Sequence, residues 1–144
     1  MYVDTITLFN RFYDNGKLYW RATVLPYVDL NADKAKIRQT YGETSGDNAM
    51  LHIAYTGKNR VQNVVFVNPK DYALLGDTSG YITFNSGDKF DFFMNGAWTG
   101  NSIIEDEGYP KGFFDYMKKH KDEVYAITSY AKYSVIPHFE VTGK

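Results

Sequence analysis

Residues 5–28 read TITLFNRFYDNGKLYWRATVLPYV, and the order of residue types in this stretch decides the fold. Two runs dense in β-branched and aromatic residues, 5–13 and 17–28, flank Asp14, Asn15 and Gly16. Asn-Gly between two such runs is the strongest short hairpin signal, because both central residues of a type I′ turn need positive φ. The stretch is therefore predicted to be an antiparallel hairpin turning at Asn15-Gly16. In its second arm Leu18, Trp20, Ala22 and Val24 share one face, while Tyr19, Arg21 and Thr23 share the other. The even-numbered face is expected to be the core. Pro26 lacks a backbone donor, so the strand should end, bulge or lie at an edge there.

Downstream, residues 29–42 (DLNADKAKIRQTYG) suit a short helix capped by Asn31 or Asp33 and ended by Gly42. Residues 43–48 (ETSGDN) suit an exposed loop. Strand character returns at 49–55, breaks at Gly57-Lys58-Asn59, resumes at 61–67 and stops at Asn68-Pro69, with a one-to-two-turn helix over 69–75. Residues 81–84 and 89–94 read as a second hairpin, with Ile82 and Phe84 alternating on one arm and Phe90, Phe92 and Met94 on the other. Residues 95–108 hold three glycines and the acidic run Glu105-Asp106-Glu107, the pattern of a solvent-facing connection. A helix is expected from near Pro110, because Phe113, Tyr116, Met117 and His120 recur at helical spacing and Lys118, Lys119 and Lys121 favour its negative end. Residues 123–133 are β-rich, Pro137 interrupts, and 138–142 form a last strand.

Six to eight strands and one real helix describe a mainly β protein: a small antiparallel β-barrel or sandwich with one substantial α-helix in the C-terminal third. The 144 residues make one domain, 1–144, with Trp20, Val24, Phe92 and Ile127 as expected core positions. A chain of this size buries roughly 68–70% of its unfolded surface, so it needs no covalent staples. It has no cysteine, which removes disulfides, thiolate metal sites and cysteine nucleophiles and fits a reducing compartment. Sixteen Lys and Arg against seventeen Asp and Glu leave a net charge of -1, without the basic excess of a duplex-binding domain. The opening MYVDTITLFNRF has neither a basic region nor an apolar core of signal type, and no apolar run is long enough to span a bilayer, so no membrane association is expected.

The sequence carries no catalytic signature, and no enzyme or cofactor is expected. His52, His120 and His138 lie in different elements with no HxH or HExxH spacing, so a metal site would need ligands brought together by the fold alone. Partly buried or interfacial side chains are the simpler reading. Glu105-Asp106-Glu107 lacks the alternating oxygen-ligand pattern of a calcium loop. The glycines of SGYITFNSGDKF fit hairpin turns rather than a phosphate loop, and no serine lies in G-x-S-x-G. Tyr19, Trp20, Trp98, Tyr130 and Tyr133 are candidates for a stacking platform, but Lys and Arg do not cluster among them as a phosphate-tracking groove requires. Core and subunit contacts are the better use of these rings.

Several stretches resemble one family, the minor capsid or head-tail connector proteins of tailed phages and prophages of Gram-positive bacteria. Residues 5–25 are similar to its opening hairpin, in which a T-L-Y-N strand meets a W-x-x-T-V-L strand through a Gly turn. DNAMLHI at 47–53 resembles its S-D-N-A strand entry, and TFNSGDKFDFFMNG at 83–96 resembles a later G-D hairpin. ITS at 127–129 and PHFEVTGK at 137–144 resemble its ending, with Phe139 where the family has Trp. The matches fall in the family's order along nearly the whole chain.

The resemblance implies a stopper-like neck subunit, found in the virion and assembled in the host cytoplasm. Its partners would be other copies in a ring, portal or adaptor proteins, and tail proteins, with packaged DNA passing through the ring without sequence-specific binding. Such a ring needs two different patches on every subunit. Loop residues Glu43, Ser45, Asp47 and Asn48, and Trp98, Glu105, Asp106 and Glu107, are the expected assembly or gating positions. The alternative is a phage-encoded binding module for single-stranded nucleic acid or a host protein.

Overall fold

The computed structural model of the chain describes residues 2–32 and 49–144. The first hairpin forms as its turn chemistry requires. Asn15 (φ 52°) and Gly16 (φ 80°) are both left-handed, and Asp14 faces Lys17 across the turn, so β1 (Asp4–Asp14) and β2 (Lys17–Asn31) pair antiparallel. The later strands are β3 (Ala49–Ala54), β4 (Arg60–Val61), β5 (Val64–Phe66), β6 (Tyr81–Ile82), β7 (Phe92–Asn95), β8 (Ile103–Glu105), β9 (Val124–Tyr133) and β10 (His138–Gly143). Two α-helices are present among the described residues, α1 (Pro69–Ala73) and α2 (Phe113–His120).

Six strands close an antiparallel barrel in the order β1-β7-β9-β10-β3-β2, and the β1–β2 ladder completes the circle. Strand β8 pairs with β2 opposite Tyr19, Trp20 and Arg21, where β2 has not yet reached β3. Strands β4, β5 and β6 form a separate small sheet that contributes Val61, Phe66 and Ile82 to the interior core. The barrel is filled by side chains, including Ile6, Leu8, Leu25, Val28, Leu51, Phe93, Phe139 and Val141.

A second core lies outside the barrel wall. Phe9, Trp20, Phe92, Met94, Ile104 and Val124 pack there under Phe113 and Met117 of α2. Strand β1 is therefore buried on both faces, with Ile6, Thr7, Leu8, Phe9 and Asn10 all at 0% exposure. The even-numbered face of β2 packs on a core as expected, but on the outer one beneath α2 rather than on the barrel interior. Trp20 is buried there, while Val24 lies beyond the reach of the helix and is 41% exposed, so it is not a core residue. Phe92 and Ile127 are buried as expected, the first in the outer core and the second in the barrel.

At Pro26 the strand bulges. Asp4 pairs with Val28 but Ile6 with Leu25, so β2 carries one extra residue, and Tyr27 turns to φ 58°. The extra residue reverses which parity points inward: Leu25 precedes the bulge in the interior and Val28 follows it there.

Other expectations change because distant strands compete for the same edges. The second hairpin is absent, since β7 already has β1 and β9 as neighbours and β6 instead runs parallel to β5. The strand expected over 61–67 is split by a turn in which Gln62 takes φ 54°. Residues 95–108 are not all connection, because β8 lies within them. Helix α2 begins at Phe113, three residues after Pro110, because Gly112 sits at φ 90° and cannot be helical. Of the helix expected over 29–42, residues 29–31 belong to β2, and its remainder from 33 onward and the 43–48 loop lie outside the described residues.

Candidate functional site

The candidate loop residues separate into different roles. Glu43, Ser45, Asp47 and Asn48 lie outside the described residues. Trp98 is half-buried: its ring meets Phe9 and Phe113 edge-on at 5.7 and 5.5 Å, its backbone N–H donates to Thr7 Oγ1, and its indole N–H donates to the Asn101 carbonyl. Those contacts make it part of the outer core. Glu105 and Glu107 are exposed and face Lys17 Nζ at 3.6 and 3.9 Å. Asp106 between them is turned inward. Its Oδ1 accepts the Trp20 indole N–H at 2.9 Å and the Phe113 backbone N–H at 2.9 Å, which ties the first turn of α2 to the barrel wall. The acidic run is thus one structural cap flanked by two solvated carboxylates.

A cleft of about 510 Å³ opens where the β1–β2 turn meets α1, lined by Phe12, Tyr13, Arg21, Tyr72, Thr78 and Lys89 among others. Phe12 stacks on Tyr19 at 5.5 Å, the Arg21 guanidinium lies over the Phe12 ring at 5.3 Å, and Lys89 lies over Tyr13 at 5.6 Å. Arg21 Nε donates to Thr78 Oγ1 at 3.0 Å. Burial pushes the Tyr72 phenol up to about 12, reinforced by the Asp91 charge and opposed by Thr78 and Arg21, so it stays a neutral hydroxyl. Aromatic faces and cations at one mouth suit a ligand that carries both a flat ring and negative charge.

Behind the cleft Asp91 is wholly enclosed. Burial pushes its carboxyl up to about 7, opposed by the backbone N–H groups of Arg11 at 2.9 Å and Asn85 at 3.0 Å, by Asn10 Nδ2 at 2.8 Å and by the Arg11 charge; Asn85 Nδ2 also donates to it at 3.1 Å. With no exposed atom, this carboxyl cannot reach a ligand and acts on the fold, joining β1 to the 85–91 turn.

The five aromatic candidates do not share a surface. Trp20 and Trp98 belong to the outer core and Tyr130 packs on the interior core, while Tyr19 stacks on Phe12 and Tyr133 stacks on His138 at 4.9 Å. The fold does bring two of the three histidines together: His52 and His138 have ring centroids 5.7 Å apart, beside Glu140. His120 stands apart, stacked on Tyr116 at 4.3 Å.

Two exposed apolar places escaped the sequence reading. The β9–β10 turn presents Val135 at 95% and Ile136 at 75% exposure, next to the 45% exposed Tyr133. The β2 bulge presents Tyr27 at 73%, with Val24 on the same stretch. An aromatic residue at positive φ costs roughly 1–2 kcal/mol, and packing does not repay it here. Sequence flagged Pro26 but not the conformation of its neighbour.

A family model described as a family of unknown function, DUF6751, matches residues 1–144. No curated protein and no solved structure matches the chain.

Proposed function

We propose, for a chain that belongs to the DUF6751 family, that it is a structural subunit of a phage or prophage neck, a stopper-like or minor capsid ring component that joins head to tail and helps retain DNA. The observation that carries this reading is the pair of unlike exposed apolar places: the Val135–Ile136 tip of the β9–β10 turn and the Val24 and Tyr27 flank of the β2 bulge. A ring of identical copies needs two different faces that fit each other, and unpartnered β-branched and aromatic side chains are the usual anchors of such contacts. The ordered resemblance along the chain supports the same reading. Because side chains fill the barrel, DNA would pass between copies rather than through one. A net charge of -1 leaves such a lumen without a strong grip on phosphate.

The test is complementation in a phage that carries this gene. Val135→Ser with Ile136→Ser should leave a folded protein while particles lose DNA or fail to join tails. Normal infectivity of that variant, or absence of the wild-type protein from purified virions, would overturn the reading.

One observation favours the second reading, a binding module. The cleft beside Phe12 and Arg21 offers stacked rings and cations to a single nucleic-acid strand. Oligonucleotide affinity that falls steeply with salt and is lost in Arg21→Ala would support it.

A further inference from the structure

We infer that His52, His138 and Glu140 form a zinc-binding site on the outer wall of the barrel, independent of the assembly reading. The register alone creates the constellation. His52 of β3 lies directly opposite Glu140 of β10, Asp29 of β2 lies directly opposite His52, and His138 stands two residues from Glu140 on the same face. Three neighbouring strands thus place two imidazoles and two carboxylates in one patch, although the residues come from remote parts of the chain.

The atoms are arranged as a ligand set. Glu140 Oε2 lies 3.4 Å from His138 Nε2 and 3.9 Å from His52 Nε2. One donor atom from each of the three residues falls within 4.8 Å of the others. Ligands 2.0–2.1 Å from a tetrahedral zinc stand about 3.3 Å apart, so small side-chain rotations suffice to close the site. Imidazoles that bind through Nε2 are normally oriented by an acceptor at Nδ1. Here His138 Nδ1 is 2.6 Å from the Ile136 carbonyl, and the buried His52 Nδ1 has no hydrogen-bond partner but lies 3.6 Å from Asp29 Oδ2, close enough for a small rotation to make the bond. Both rings therefore turn Nε2 toward the same carboxylate.

All three side chains are partly exposed, at 18–28%, so an ion could enter from solvent and would keep a position for water. Two imidazoles with one carboxylate and an open position suit zinc and disfavour the oxygen-seeking magnesium and calcium. The Tyr133 ring stacked on His138 limits how far that imidazole can swing. A bound ion would tie β3 and β10 together.

The full chain, stripped with a chelator, should bind one zinc ion per molecule by calorimetry and melt at a higher temperature with zinc but not with magnesium. Cobalt should give the visible bands of a four-coordinate site. His52→Gln, His138→Gln and Glu140→Gln should each lower zinc affinity at least about tenfold, and Asp29→Asn about ten- to hundredfold through the orientation of His52. These side chains lie on the outer face, so the metal-free melts of the variants should match wild type. Absence of saturable zinc binding at micromolar metal, or equal binding by a variant lacking all three ligands, would overturn the site.

Discussion

At the scale of single residues, Asp91 shows how one buried group can set a solution property. Its ordinary value is 3.8 and burial raises it to about 7. Between these limits the folded protein holds a proton that the unfolded chain has released, so this group's contribution to stability is full below about pH 4 and is lost as pH rises through 7. The slope reaches at most about 1.4 kcal/mol per pH unit for one proton. Urea midpoints should therefore fall between pH 5 and pH 8 by more in wild type than in Asp91→Asn, where no proton is exchanged. Equal pH profiles for the two proteins would show that the carboxyl titrates as in the unfolded chain. Nothing in the sequence marked Asp91, because its enclosure depends on Asn10 and Asn85 arriving from two other segments.

Elements are held together here by few bonds with large consequences. Asp106 receives both the Trp20 indole N–H and the first backbone N–H of α2, so β2, the acidic turn and the helix meet on one carboxylate oxygen. Hydrogen bonds to charged groups contribute about 1.5–3 kcal/mol, so Asp106→Ala should lower stability by about that amount in urea titrations. Glu105→Lys with Glu107→Lys should change it by no more than about 1 kcal/mol, because the pairs with Lys17 are exposed. Trp20→Ala removes the ring as well as the bond and should cost about 3–5 kcal/mol. Equal losses from Asp106→Ala and the double lysine variant would mean that the cap carries no more weight than its neighbours. Sequence showed the helix through the spacing of Phe113 and Met117, yet it gave no sign that Asp106 differs from the acids beside it. That difference arises from Gly112 at φ 90°, which brings the helix start against the acidic turn.

For the whole molecule, local chemistry made the barrel's first ladder legible, and long-range pairing hid the rest. Asn15-Gly16 specifies a hairpin by turn geometry, whereas closure through β7, β9 and β10 depends on which distant edges meet. The same pairing decides which surfaces stay free, and it leaves the Val135–Ile136 tip and the Tyr27 flank exposed. If copies join tip to flank, every copy offers one of each, and a closed ring results only when both survive. The isolated chain should therefore sediment as a monomer when dilute and as larger species when concentrated. A tip variant (Val135→Ser with Ile136→Ser) and a flank variant (Val24→Ser with Tyr27→Ser) should each remain monomeric alone. Mixed, they should stop at pairs, because the intact tip of one engages the intact flank of the other and leaves two dead faces. A flank variant that assembles like wild type would mean that tips meet each other or that other surfaces carry assembly, and a head-to-tail ring would then be excluded.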